Sequence, residues 1–133
     1  MKRKLILITG ILLSTNAWAE DKIYLSCEVN KASQIMNLGY GHQMWISISF
    51  VDNLFLITST KMIEERGDVL SEARELEISS NFYKATGLRF KLDRTSLKYG
   101  EFNDYASCSK ISKMLYSNQV KNYLQAFKAK RKI

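Results

Sequence analysis

Short segments in which apolar and polar residues alternate recur through most of the chain, and they limit its fold more strongly than any other feature. The segment Ile23–Val29 alternates with a period of two, which is typical of a half-buried β-strand. A second alternating segment, 44–51, is joined by Asp52-Asn53 to a third, 54–60, and this succession is a hairpin pattern. Further predicted strands follow at short intervals, at 75–80 or 75–84, 88–92, 97–102 and 105–108.

The connections between these segments predict the sheet type. None is a long helical crossover, so the strands should pair in antiparallel fashion. The polar, acidic stretch 61–76 is predicted to be a loop or a short helix. Beyond the last strand, apolar residues recur at helical spacing, at Ile111, Met114, Leu115, Val120, Tyr123, Leu124 and Phe127. We therefore predict a mainly β (α+β) fold: a small curled sheet or open barrel of five to six strands with a C-terminal helix.

Residues 1–19 have the layout of a secretory signal peptide. Three basic residues at 2–4 precede an apolar run at 5–13, and Ala17-Trp18-Ala19 forms a small-x-small cleavage pattern. The apolar run is shorter than the roughly 20 residues that a membrane-spanning helix needs. We expect cleavage after Ala19 and a periplasmic or secreted protein that is not transmembrane once processed. An uncleaved anchor or a short buried helix is the alternative.

The remaining residues, 20–133, are predicted to form a single exported domain with an uneven charge distribution. The whole chain has 20 bases and 13 acids, so losing the three leader bases leaves 17 against 13, a net charge of +4 instead of +7. The β body, 20–108, has ten bases and 13 acids, whereas the helix and tail, 109–133, have seven bases and no acid. A slightly acidic body thus carries a basic C-terminal helix.

Cys27 and Cys108 are the only cysteines of the chain. An even number of cysteines in an exported protein indicates a disulfide. Their positions, near the first strand and after the last, would tie the ends of the sheet together. The chain-entropy model gives such a bond up to about 4.5 kcal/mol of stabilisation. Two buried free thiols are the alternative, and nothing resembles the C-x-x-C pattern of a redox pair.

The sequence offers little for catalysis, for metals or for cofactors. His42 is the single histidine, so a metal site with several histidines is excluded. No G-x-S-x-G pattern is present to set a nucleophile. The adjacent Glu64 and Glu65 and the acidic residues that follow are typical of a solvated surface. We predict a protein that is not an enzyme and has no cofactor, with a small hydrolase that uses His42 as the remaining enzymatic hypothesis.

Two loops are predicted to contact a partner protein. Tyr40, His42 and Trp45 place aromatic and amphipathic groups around a glycine-containing loop, and such residues are enriched in recognition surfaces. Thr86 and Gly87 mark a second, weaker loop. The alternative for Trp45 is that it covers the edge of the core or packs beneath the terminal helix.

The basic C-terminal segment is a second predicted surface. Amphipathic basic helices lie on anionic membranes, where each base adds about 1 kcal/mol of binding free energy. An anionic lipid or lipopolysaccharide surface is therefore an alternative partner. A helix that packs its apolar side on the sheet and leaves its bases in water is equally compatible with the pattern. Nucleic acid is disfavoured by the compartment and by the lack of a stacking stripe. The bases involved are Lys121, Lys128, Lys130, Arg131 and Lys132.

Small size, export and the positions of Cys27 and Cys108 resemble the periplasmic inhibitors of C-type lysozymes, which are small disulfide-linked β-barrels. The inhibitory loop of that family has an S-G-x-x-Y motif, and the nearest string here, Ala85–Phe90, lacks both the serine and the tyrosine. The family's Trp-x-Lys-Gly motif has no counterpart, so the resemblance assigns no site residues. Together, these patterns predict an exported domain that binds another protein, as an inhibitor or an immunity-type protein does.

Overall fold

The computed structural model describes residues 21–35 and 39–131, so the predicted signal peptide lies outside the described residues. Within these residues, eight strands and three helices follow one another. The helices are α1 (Lys31–Ile35), α2 (Thr60–Arg66) and α3 (Lys113–Arg131). The strands are β1 (Lys22–Val29), β2 (Gln43–Ser49), β3 (Leu54–Ser59), β4 (Glu72–Ile78), β5 (Phe82–Ala85), β6 (Lys91–Asp93), β7 (Lys98–Gly100) and β8 (Ala106–Ile111).

The eight strands form a closed antiparallel barrel in which each strand pairs with the next and β8 pairs with β1. The mainly β, antiparallel class is confirmed, but five to six strands in an open or curled sheet is wrong. One reason is that the stretch predicted as a single strand, at 75–80 or 75–84, is followed or divided by a turn at Ser79–Asn81, after which β5 begins as a separate strand. A second is that β4 begins at Glu72, inside the stretch predicted as a loop or helix.

The two ends of the barrel carry different connections. The upper end, as we name it, carries the longer connections: β1 to β2 through α1, β3 to β4 through α2, β5 to β6, and β7 to β8. The lower end carries the short turns between β2 and β3, β4 and β5, and β6 and β7, and the start of α3. Chain order and antiparallel pairing alone give this division.

The predicted disulfide is confirmed. Cys27 and Cys108 are directly opposite one another in the pairing of β1 with β8, and their sulfur atoms are bonded. Because β1 and β8 are the first and last strands, the bond lies across the seam at which the barrel closes. β8 continues past Cys108 to Ile111, so the predicted division of the domain between residues 108 and 109 falls inside a strand.

The barrel interior is a continuous apolar core. Alternate residues of every strand point inward, as the period of two predicts. Leu25, Ile46, Phe55 and Leu92 are fully buried there, and Tyr99 fills the space between them and the upper end. Pairs of rings add contacts, including Phe55 with Tyr99 at 6.4 Å between centroids. The interior is thus filled by side chains, as eight-stranded barrels of this width allow.

The C-terminal helix packs on the outside of the barrel. Its apolar stripe meets the outward-facing Trp45 of β2 and Ile63 of α2, and Val120 of α3 lies between them. α2 begins where the Ser59 side chain accepts a hydrogen bond from the Met62 backbone N–H, which is a usual N-cap arrangement. Within the described residues, no helix has the length and apolar character needed to cross a membrane.

Candidate functional site

A polar groove runs along the outside of the barrel over the seam between β1 and β8. We call it the outer groove, and its volume is about 750 Å³. Strands β1 and β8 form its floor, α1 and the start of β2 bound it at the upper end, and α3 forms one wall. Its lining is almost entirely polar and consists of Ser26, Glu28, Lys31, Gln34, His42, Gln43, Ser107, Ser109, Ile111 and Gln119.

The floor of the outer groove follows from the disulfide register. Because Cys27 and Cys108 point inward as a pair, their neighbours on each strand point outward. Ser26 lies opposite Ser109, and Glu28 lies opposite Ser107. The Gln43 side-chain amide donates a hydrogen bond to the Ser26 hydroxyl at 3.0 Å, which ties β2 to this floor. The result is a rigid surface of small hydroxyl groups beside one carboxylate.

The upper boundary of the outer groove is held by α1. The Gln34 side-chain amide donates to the Val29 carbonyl at 2.6 Å, so the helix is fastened to the end of β1. A second concavity of about 300 Å³ shares Glu28, Lys31, Gln34 and Ser107 with the first and extends it to Asn30. Glu28 and Lys31 place one negative and one positive charge at this end of the groove.

His42 is positioned by a hydroxyl from α2. The Thr60 hydroxyl accepts hydrogen bonds from the backbone N–H groups of His42 and Gln43, at 3.2 and 3.3 Å, and donates to the Tyr40 carbonyl at 3.3 Å. Gly41 adopts a φ of 82°, and a Cβ atom there would lie 2.6 Å from the Thr60 hydroxyl oxygen. Only glycine fits this close approach without strain, and the approach fixes the backbone from which His42 projects.

Polar contacts join the wall formed by α3 to the barrel and to α2. The Trp45 indole N–H donates to the Gln119 side-chain carbonyl at 2.9 Å. The Tyr123 hydroxyl donates to a Glu64 carboxylate oxygen, and the Tyr123 ring lies 5.7 Å from the His42 ring, centroid to centroid. Burial raises the pKa of Tyr123 well above its usual range, and the hydrogen bond to Glu64 and its negative charge raise it further.

No family profile, curated protein or solved structure matches the chain. The resemblance to lysozyme inhibitors therefore stays a prediction, and the argument for a function depends on the geometry of the site.

The three residues predicted to form an aromatic recognition patch do not lie together on the surface. Trp45 is 1% exposed and packs beneath α3, which was the alternative for this residue. Tyr40 is half-buried against Tyr105, with its backbone N–H donating to the Tyr105 hydroxyl at 2.7 Å. Burial raises the pKa of Tyr40, as does the nearby Glu72 carboxylate. Only His42 is exposed, and only His42 lines the outer groove.

The second predicted loop lies on the far side of the barrel, between β5 and β6. The Thr86 hydroxyl donates to the Glu75 carbonyl at 2.9 Å, and Arg74 donates to the Thr86 carbonyl at 3.2 Å. Gly87 has a φ of 89°, and a Cβ atom there would approach the Arg74 guanidinium at 3.0 Å. Thr86 and Gly87 therefore shape a turn braced by β4, and they are remote from the outer groove.

The predicted basic surface lies on the outer side of α3. Lys121, Lys128 and Lys130 are exposed, because the opposite side of the helix packs on Trp45 and on α2. Arg131 is the last residue of α3, and its side chain lies outside the described residues, as does all of Lys132. The predicted helix is present at Lys113–Arg131, whereas Ile111, predicted on its apolar side, belongs to β8.

The outer groove offers binding groups more than catalytic ones. In the described part of the chain, no hydrogen bond joins the His42 imidazole to a serine or a carboxylate, and its ring meets the Tyr123 ring. The same residues contain no group of three or more potential metal ligands. Hydroxyls, amides and a pair of opposite charges suit recognition of a polar surface. The hypothesis of a hydrolase that uses His42 stays a prediction, which an activity measurement on His42→Ala would test.

Sequence reasoning missed most of the groove residues, although a signal for them existed. Once Cys27 is paired with Cys108, alternation alone assigns Ser26 and Glu28 to the same outward surface as Ser107 and Ser109. The contribution of Gln119 depends on how α3 docks, which no local pattern specifies.

Proposed function

We propose that the chain is an exported, non-enzymatic domain that binds another protein through the outer groove, as an inhibitor or an immunity-type protein does. The observation that carries the proposal is the groove itself: a wide, polar concavity with a floor cross-linked by Cys27–Cys108. A preorganised surface loses little conformational entropy when a partner binds, which favours tight complexes.

The lining favours a protein partner over a small apolar molecule. Small-molecule pockets are mostly apolar, whereas Ile111 is the one aliphatic side chain among the groove residues. Glu28 and Lys31 offer opposite charges that can pair with charges on a partner and set its orientation. Every described strand is paired on both sides, so the partner is recognised by side chains and not by addition of a strand.

The alternative, binding to an anionic envelope surface through the basic helix, has less support. A helix that lies in a lipid surface buries its apolar side there. In α3 the part of that side from Val120 onward is occupied, because Tyr123 and Leu124 pack against the cluster of Trp45, Ile63 and Val120. Met114 and Leu115, near the start of the helix, are exposed. The exposed lysines would then act by charge alone, and salt at about 0.1 M screens such charges over roughly 10 Å.

Site-specific photo-crosslinking in the native host tests the proposal. A crosslinking amino acid replaces Ser109 on the groove floor, and the matched control replaces Glu77, which faces outward on β4 across the barrel. We expect the probe at position 109 to attach to one protein at high salt, and the probe at position 77 not to do so. Glu28→Lys should reduce that product at least tenfold, since a buried charge reversal at an interface costs more than about 1.4 kcal/mol.

Other outcomes contradict the proposal. Equal products from positions 109 and 77 would mean that the groove has no special role. If a probe at Lys121 on α3 attaches only to lipid or lipopolysaccharide, and the probe at 109 attaches to nothing, the function moves to the basic helix.

A further inference from the structure

The lower end of the barrel opens into a separate pocket, which we call the lower pocket. Its volume is about 550 Å³, and its lining includes Ile23 of β1, Phe50 beyond β2, Tyr83 of β5 and Lys110 of β8. These strands lie on different sides of the barrel, so the pocket occupies the barrel mouth. Mouths of β-barrels are frequent ligand sites, and this volume lies within the roughly 300–1,000 Å³ range of such sites.

The body of the lower pocket is apolar and aromatic. Ile23, Tyr83 and Leu97 pack partly buried against the barrel core. The Phe50 ring meets the Tyr83 ring edge-on, 5.6 Å between centroids, and Phe50 remains 36% exposed. Ile78, which lies opposite Tyr83 in the strand pairing, is 54% exposed at the same rim. An apolar chain in the pocket would cover surface that water now contacts.

The rim of the lower pocket is cationic. The Arg94 guanidinium stacks over the Tyr83 ring at 4.7 Å and donates a hydrogen bond to the Ser79 carbonyl, so its position is fixed. A guanidinium has five N–H donors on three nitrogen atoms, and the hydrogen bond to the Ser79 carbonyl uses only one of these nitrogens. Lys110 lies opposite the inward-facing Leu25 in the strand pairing and lines the same pocket. The residues that line the pocket include two bases and no acid.

We propose that the lower pocket binds a small anionic amphiphile, a single alkyl chain with a carboxylate head. The alkyl chain lies along Phe50, Tyr83 and Leu97, and the carboxylate meets Arg94 and Lys110. A guanidinium binds a carboxylate through charge-assisted hydrogen bonds, which are the strong ones. Because Phe55 and Leu92 fill the interior, the ligand occupies the mouth and does not enter the barrel.

A head-group comparison tests this assignment on residues 20–133 with the disulfide intact. Decanoate, decan-1-ol and decylammonium share a chain length, and each is titrated below its micelle concentration by calorimetry and by amide chemical shifts. We expect one equivalent of decanoate to bind, with shifts centred on Phe50, Tyr83 and Thr95. Decylammonium should bind at least tenfold more weakly, because its charge is repelled by the two bases.

Variants of the two rim bases distinguish decanoate binding in the lower pocket from general adsorption of decanoate to the protein surface. Arg94→Gln and Lys110→Gln should each weaken decanoate binding, Arg94→Gln by tenfold or more. The matched control is Lys98→Gln, a base at the same end whose side chain faces outward, and it should leave the affinity unchanged. If Arg94→Gln fails to fold, Lys110→Gln and the comparison of head groups still decide the question.

Three results would overturn the assignment. Equal affinity for all three probes would mean that charge has no role. Shifts confined to the outer groove would place the ligand elsewhere. Binding only to anionic phospholipid vesicles, with none to monomeric decanoate, would make the lower end a membrane contact. This proposal is independent of the outer groove, so Glu28→Lys should not affect decanoate binding.

Discussion

The described residues form two apolar clusters that differ in how they are enclosed. The interior cluster lies inside a closed barrel, where residues such as Leu25, Ile57 and Leu92 are enclosed by strands on all sides. The outer cluster, centred on Trp45, Ile63 and Val120, is covered from one side by α3. We therefore expect the barrel to unfold as one cooperative unit and α3 to detach from it more easily.

The largest effect should come from opening the seam of the barrel. Replacing Cys27 and Cys108 by alanine removes a crosslink between residues 81 positions apart. The chain-entropy model predicts a loss of about 4.5 kcal/mol in the free energy of unfolding. Denaturant unfolding monitored by circular dichroism measures it, with reduced wild type as the control. A loss below about 1 kcal/mol would mean that strand pairing alone closes the barrel.

A matched pair of isoleucines sharpens the comparison between the two clusters. Ile57 in the interior and Ile63 in the outer cluster are both fully buried. Ile57→Ala should cost about 4 kcal/mol, because the closed barrel cannot collapse around the cavity. Ile63→Ala should cost about 2 kcal/mol, because α3 can shift toward the space. Unfolding curves at equal protein concentration measure both values.

Trp45 fluorescence adds a local readout to that pair. In Ile63→Ala, the emission of Trp45 should shift to longer wavelength at lower denaturant than the loss of β-sheet signal. In Ile57→Ala, the two transitions should coincide, as in a two-state unit. Coincident transitions in both variants would contradict the view that α3 is a separate attachment.

The two clusters also differ in how far the sequence predicts them. The interior follows from alternation, since Leu25, Cys27 and Val29 share one side of β1. Trp45 occupies the outward, polar phase of β2, so its burial depends on a helix some 70 residues later in the chain. The alternation of apolar and polar residues along a strand cannot predict that a distant helix packs on it. The strand count failed for another reason: β5 has four residues, too few for a period of its own to appear beside β4.

The candidate sites were predictable to different degrees. The floor of the outer groove follows from the register of Cys27 with Cys108, a pairing that the sequence indicates. The lower pocket does not follow from any local pattern, because Ile23, Tyr83 and Lys110 meet only when the barrel closes. The predicted curled sheet or open barrel of five to six strands does not specify that these three strands face one another around a common mouth.

The smallest effects should come from one tyrosine hydroxyl in each cluster. Tyr99 lies in the interior with its hydroxyl buried near Tyr40, yet no group among the described residues meets the geometry of a hydrogen bond to it. Tyr123 of the outer cluster donates to Glu64. Tyr123→Phe should therefore cost about 1 kcal/mol, whereas Tyr99→Phe should leave stability unchanged or raise it slightly. Urea unfolding at pH 8 measures both.

The same pair of tyrosines gives a pH dependence with a definite sign. Burial raises the pKa of Tyr99 above its ordinary value of 10.0, and that of Tyr123 is raised as well. Both hydroxyls hold their protons more tightly in the folded state than in the unfolded state. The contribution of these two hydroxyls to stability should thus be constant below about pH 10 and fall as the pH rises above that value. Tyr99→Phe removes one of these groups, so the variant should lose less stability than wild type between pH 8 and pH 11. An equal loss in both proteins would mean that Tyr99 ionises as freely in the barrel as in the unfolded chain.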